Sequence, residues 1–411
     1  MPLLLVAVVA MLLQQTMATV AKTAVPVLFK AVADELGFPA ELVLLYTWVF
    51  ACVGIVVMLG CGAFIIRFGA LRMSQVGCVL MGAGLVVASA TRGTPSAAIA
   101  VICLAAVVVS MGTTVATPAS SQILARYAPV RWAPLVFSIK QTGVPAGVAI
   151  ASFLIPVLVL GLGWRAAAWV LAAACVAIAV ALEPCRGEFD SDRRRDHPLS
   201  VSGVAETFFS VLRAPGLRML AVAAFSFIGL QAIYTNFTVV YLTEEMHYDL
   251  ATAGRALGIA TLVAAPGRIV WGWVSSTVVS PRVLLVGLAI VMSASAVAMG
   301  TFSPTWSYLA VMVPLVLVSA TALSWHGVLL SEIARLAAPG QAGRMTGGVL
   351  AFGTAGQIVF PLFFWLGHLA AGYPGAYAAV ATPALLAAVA LVRGGRRSHS
   401  AEPDGGEESA A

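Results

Sequence analysis

The chain has 411 residues, 61% of them hydrophobic and 10% charged, with a mean hydropathy of +0.98 and a formal net charge of +6. A soluble domain carries roughly 25% charged residues to keep its surface hydrated, so an ordinary water-soluble protein is excluded. One membrane-spanning helix takes about 20 apolar residues, which leaves apolar material for about twelve spans, and no polar stretch approaches the roughly 50 residues of an attached soluble domain.

Apolar runs punctuated by Gly, Pro and Arg predict spans near 3–31, 40–66, 73–91, 97–126, 135–161, 164–183, 217–244, 250–277, 282–302, 305–335, 342–370 and 374–393. The first positive charge is Lys22, so the N-terminus reads as the first span rather than as a signal peptide with a basic leader. Cys52, Cys61, Cys78, Cys103, Cys175 and Cys185 lie in or at the ends of apolar runs without ligand spacing, which predicts free thiols, no disulfide and no metal. With the N-terminus inside, sixteen arginines (67, 72, 126, 131, 186, 193–195, 213, 218, 282, 335, 344, 393, 396 and 397) fall on the cytoplasmic side, against Arg92 and Arg165 outside. Cytoplasmic loops retain positive charge during insertion, so a multi-pass protein of the inner (plasma) membrane with both termini cytoplasmic is expected. The acidic groups Asp34, Glu35, Glu41 and Glu244, Glu245, Asp249 then lie outside.

The longest polar stretch, 184–216, separates a first half, 1–183, from a second, 217–393, and a polar tail, 394–411, reads as disordered and cytoplasmic. The halves repeat each other weakly. Gly62, Ile66 and Arg72 match Gly272, Ser276 and Arg282 at an offset of 210; Ala125-Arg126 matches Ala334-Arg335 at 209; Gly143 and Pro156 match Gly348 and Pro361 at 205. Ordered coincidences at near-constant offset predict duplication into two six-helix bundles, as in secondary transporters.

The segment from Gly62 to Arg72, GAFIIRFGALR, resembles the G-x-x-x-D-R-x-G-x-x-R signature of the major facilitator superfamily, with a second Arg-flanked copy from Gly272 to Arg282. The resemblance covers the whole chain through the six-plus-six layout. It implies an all-α polytopic fold of two pseudo-symmetric six-helix bundles, alternating access, and a gate at Gly62, Arg67, Gly69, Arg72, Gly272 and Arg282. The motif's aspartate is replaced by Ile66, and by Ser276 in the second copy, which removes its charge relay but not its glycine packing. Gly143-Val144-Pro145-Ala146-Gly147 partly resembles the Gly/Pro motif of drug antiporters and is read as a packing and bending element.

Ionisable groups inside spans are costly and mark function. All three lysines, Lys22, Lys30 and Lys140, fall within spans, and loops carry none. Lys22 shares a helical stripe with Gln15, Thr19 and Pro26; it faces substrate or packs and snorkels. Lys30 lies near the outer end beside Asp34, where a surface ion pair is the expected role. Lys140 with Gln141 fits an inner anion contact or a snorkelling charge. Arg268 within Arg-Ile-Val-Trp-Gly is similar to the Arg-x-x-x-Gly of monocarboxylate transporters, in which it would work with a span-one lysine; the acidic residue one turn earlier is Ala264 here. The alternative for Arg268 is a brace of the gate. Glu332 and Arg335, three apart, read as a local ion pair or gate element.

Polar faces on spans one, four, seven and ten complete a candidate pathway with Thr117, Tyr234, Tyr241, Trp325 and His326, to which Gln357 of span eleven is added. The aromatic residues serve substrate or packing, and His326 serves proton coupling or structure. A membrane interior with cations and almost no carboxylates attracts anions. The expected partners are therefore a small organic anion, a carboxylate first, a candidate coupled proton and the bilayer; no nucleic acid, no cofactor and no enzymatic activity are expected, and a monomer is. A drug or metabolite exporter is the alternative within transport, and a non-transporting receptor or scaffold the alternative outside it. No Walker-type, HExxH or Gly-x-Ser-x-Gly motif is present.

Overall fold

A computed structural model describes residues 2–37, 43–199 and 202–399, and among these it contains helices and no strand. The helices are α1 (Pro2–Leu36), α2 (Val43–Phe68), α3 (Ala70–Ser89), α4 (Pro95–Thr114), α5 (Ala116–Tyr127), α6 (Ala133–Gln141), α7 (Gly143–Leu162), α8 (Trp164–Ala181), α9 (Arg186–Phe189), α10 (Ser202–Arg213), α11 (Pro215–Glu244), α12 (Leu250–Leu262), α13 (Ala264–Thr277), α14 (Pro281–Met299), α15 (Tyr308–Ala322), α16 (His326–Leu336) and α17 (Ala342–His399). Eleven continuous helical stretches are long and apolar enough to cross a membrane. The last, Ala342–Arg393, has 52 residues, about 78 Å of helix at 1.5 Å per residue and too long for one crossing. Non-helical backbone at Ala371 and Gly372 (φ +62°) folds it back on itself, giving spans eleven and twelve. The protein is a polytopic all-α membrane protein.

Prolines explain the interruptions inside spans. Spans four, five and eight break at Val115, Thr142 and Val263, each three residues before Pro118, Pro145 or Pro266. A proline has no N–H to give the carbonyl four residues back and its ring crowds that carbonyl. Pro145 thereby frees the Gln141 carbonyl, and Pro26 frees that of Lys22. Span ten breaks between α15 and α16, at Leu323–Trp325. Each broken span carries a polar candidate within a few residues of the break: Thr117, Lys140, Gln141, Arg268 and His326.

The duplication is visible in packing. A Cβ at Gly147 would lie 2.6 Å from the Thr16 carbonyl oxygen, and one at Gly356 would collide with that of Phe225; both pairs are related by 209 residues. Small residues let helix backbones meet this closely.

The halves meet at one end. α6 packs against α13 and α16, and α17 packs against α2 and α5. One continuous apolar core joins Met11, Ile65, Ile123 and Phe137 of the first half to Phe227, Trp325 and Val349 of the second, whereas residues such as Leu28, Leu85 and Trp164, toward the other end of the first half, form a separate core. The joined end carries the stretch between the halves. That stretch, expected as a loop, contains α9 and the amphipathic α10, which packs against α2, α11 and α17. α17 carries helix to His399, into the stretch expected as tail. Glu41, the side chains of Lys30 and of residues 394–399, and residues 400–411 lie outside what the structure describes. The six cysteines are free thiols.

Candidate substrate pathway and gate

The motif between α2 and α3 is held by the linker rather than by its own aspartate. Gly69 has φ +100°, a conformation L side chains rarely adopt, and a Cβ there would collide with the Asp190 carboxylate. That carboxylate accepts the Leu71 N–H at 2.7 Å and the Arg72 N–H at 3.0 Å, capping α3 from another part of the chain. Burial pushes the Asp190 carboxyl up, against the pull of those two amides and of Arg186. The linker backbone is stitched to the same loop, with Arg194 N–H on the Ile66 carbonyl (2.8 Å) and Arg67 on that of His197 (3.2 Å). Arg72 reaches Gln75 at 3.3 Å and Glu183 at 3.6 Å. Asp190→Ala removes both cap bonds; thermal unfolding should show a loss of about 1–2 kcal/mol, and an unchanged midpoint would dismiss the cap.

The residues read as a gate make contacts across the halves. A Cβ at Gly62 would lie 2.5 Å from the Arg344 side chain and 2.9 Å from its Cα. Arg344 is held by Glu206 (2.9 Å) and Thr207 (3.0 Å) of α10. Gln122 of α5 donates to Asp192 in the linker at 3.0 Å and accepts the Gly343 N–H at 3.0 Å. In the second copy, Gly272 abuts α6, its Cβ position 2.6 Å from Ser138 and 3.0 Å from the Leu135 Cα, and the Ser276 hydroxyl accepts the Leu135 N–H at 3.3 Å. Glu332, 2% exposed, takes a bidentate bond from Arg335 (2.8 and 2.7 Å) and has Arg282 at 4.0 Å.

Above this gate the sequence candidates form two groups. Gln15, Thr117, Lys140, Gln141 and Arg268 come together. Lys140, 0% exposed, donates to Gln15 Oε1 at 2.6 Å and to Gln141 Oε1 at 3.4 Å, and Thr117 shares the same Gln15 oxygen at 3.1 Å. Arg268, 3% exposed, donates to the Leu323 carbonyl in its own half at 3.0 Å and to the Gln141 carbonyl across the interface. Both carbonyls sit at span interruptions. His326 stacks on Trp325 at 3.9 Å, and its buried Nδ1 has no hydrogen-bond partner among the described residues.

Lys22 stands apart. It is exposed although α1 packs against α3 to α8 of its own half, and its ammonium lies 5.6 Å from the Phe50 ring centroid. Thr19, on the same stripe, turns instead to Gly147 of α7.

The other candidates are placed in packing. The Tyr234 hydroxyl donates to the Leu315 carbonyl at 2.9 Å, and Tyr241 donates to that of Met299 among Phe302, Tyr373 and Tyr377. Trp325 is fully buried with its N–H on Ala322, and Gln357 is half-buried on α17. Sequence reading missed Gln122, Asp190, Asp192, Glu206 and, as anything beyond a topogenic charge, Arg344.

Several solved structures share this architecture. A bacterial homologue of the iron transporter ferroportin in an outward-facing state superposes with TM-score 0.79 at 12% identity, over 96% of this chain and 100% of that one. The human organic anion transporter MFSD10 (TETRAN) gives 0.73 at 15% identity, over 94% and 98%, and the E. coli fucose:proton symporter FucP gives 0.73 at 15%, over 94% and 97%. At such identities the likeness is one of fold. No curated protein sequence matches the chain. The Major Facilitator Superfamily model matches residues 5–361. With that match, the doubled six-helix bundle and the glycine-centred gate, the chain belongs to the major facilitator superfamily of membrane transporters.

Proposed function

We propose that this secondary transporter carries a small organic anion, a carboxylate first, by alternating access across the inner (plasma) membrane, each chain working as a monomer with both termini cytoplasmic. One observation carries the reading: the interior polar groups are cationic or neutral. Lys140 and Arg268 are buried and Lys22 is exposed, while the buried carboxylates among the described residues, Asp190 and Glu332, both belong to the gate. Such an interior favours negative cargo and opposes cations. On this reading the linker end is cytoplasmic and closed, and Lys22 faces a gap that opens outward to receive substrate. The candidate coupled ion is a proton.

Uptake of labelled lactate and succinate into proteoliposomes under an imposed pH gradient tests this. Saturable accumulation of a carboxylate is expected; transport of neutral sugars or lipophilic cations in its place would overturn the reading. Raised sensitivity of a deletion strain to lipophilic compounds, without a carboxylate growth defect, would favour the exporter alternative.

A further inference from the structure

We infer that Lys140 and Arg268 form a second anion-binding station, separate from Lys22 and nearer the linker end, to which the cargo passes before release; this rests on the anion reading above. Lys22 lies seven residues beyond Gln15 on α1, about 10 Å along the helix, and its ammonium contacts the Phe50 ring, whereas Lys140 bonds Gln15.

The pair is an unfinished anion site. Both cations are buried and both bond to Gln141, Lys140 at its side chain and Arg268 at its backbone carbonyl. Every hydrogen-bond partner they have is a neutral carbonyl oxygen: the Gln15 and Gln141 side chains for Lys140, the Leu323 and Gln141 backbone for Arg268. A carboxylate or phosphate oxygen is a markedly stronger acceptor for either. Buried polar groups in native proteins are normally satisfied, yet Ser138 Oγ, two residues from Lys140, and His326 Nδ1 have no partner. The region offers more donors than the closed gate uses.

The bonds also say when the station works. Arg268 belongs to the second half and Gln141 to the first, so opening the linker end must break the bond between them. In the same movement Ser138 leaves Gly272 and Gly327, against which it is wedged here. The guanidinium and the ammonium then stand on opposite walls of the opening. An anion with two acceptor oxygens can bridge them; a neutral or cationic solute replaces nothing that was lost. Lys22 would thus receive the anion from the open face, and Lys140 with Arg268 would hold it when the opposite face opens.

Sided counterflow tests this in proteoliposomes of uniform orientation, with labelled lactate, succinate and inorganic phosphate presented at each face in turn. Lys22→Gln should raise the half-saturating concentration at the open face by about tenfold or more and leave the linker face little changed. Lys140→Gln and Arg268→Gln should do the reverse, and Lys140→Arg should recover most of the loss. Lys140→Gln removes a buried charge that no carboxylate balances, so its thermal midpoint should match or exceed that of wild type, separating loss of function from loss of fold. Equal shifts at both faces, or none, would overturn the second station while leaving the anion reading intact. Exchange of none of the three anions by wild type would overturn both.

Discussion

Gly347→Ala should leave the linker end unable to close, raising alkylation of Cys61 and lowering transport by about tenfold or more. A Cβ at Gly347 would collide with the Met58 carbonyl oxygen, a backbone atom in mid-helix that cannot turn aside, and would lie 3.4 Å from Cys61 Sγ. Gly347 is in the second half and Met58 in the first, so the clash exists only while the gate is shut. Overpacking of this kind costs about 1–3 kcal/mol, and each 1.4 kcal/mol is a tenfold change in the ratio of closed to open. Alanine is otherwise the better helix former by about 1 kcal/mol, so the helix itself does not suffer. Cys61 is buried at 4% exposure and reports directly on closure once the other five cysteines are replaced. Gly254→Ala is the matched control: its Cβ meets nothing within 4 Å, so both labelling and transport should stay at wild-type levels. Slow labelling of Cys61 in Gly347→Ala would show that the observed closure does not depend on this approach.

Lys22→Ala should abolish most carboxylate uptake while leaving thermal stability near that of wild type. Lys22 is exposed, and among the described residues no hydrogen bond or ion pair holds its ammonium, which lies 5.6 Å from the Phe50 ring centroid. Its removal therefore costs the fold little. A hydrogen bond from a charged donor to a carboxylate contributes about 1.5–3 kcal/mol, so affinity at the open face should fall by about tenfold or more. Lys22→Arg keeps the charge and should retain much of the uptake. Wild-type anion uptake by Lys22→Ala would remove this residue from the mechanism.

The fold was legible because hydropathy is a local signal. The twelve spans follow from residues read in order, and the turn at Ala371–Gly372 within α17 is marked by Gly372 and Pro374; the offset of 205 read for spans five and eleven becomes 209 in the packing of Gly147 and Gly356. The motif glycines were legible for the same reason. What holds them was not: Asp190 caps α3 across 119 residues, Gln122 bonds Gly343 across 221, and Arg344 reaches Thr207 across 137. No periodicity links such pairs. The linker looked like a loop because its charges suggested solvent, whereas Asp190 is 2% exposed and does the work of the carboxylate absent at Ile66. Within the pathway, spacing put Gln15, Thr19 and Lys22 on one stripe, but the folded helix directs them to three different neighbours. Proline positions were the unused signal in spans four, five and eight: the break falls three residues before Pro118, Pro145 or Pro266, and the carbonyl freed by Pro145, that of Gln141, is a cation ligand; the Leu323 carbonyl of span ten has no such proline.

The central claim is that interior positive charge selects the cargo, and competition between isosteric pairs tests it most directly. Uptake of the best labelled carboxylate by wild-type proteoliposomes should be inhibited by unlabelled carboxylates and left unaffected by their amides, lactate against lactamide and succinate against succinamide. Equal inhibition by acid and amide would contradict the claim, because it would show that the site reads shape and hydrogen bonding without regard to charge.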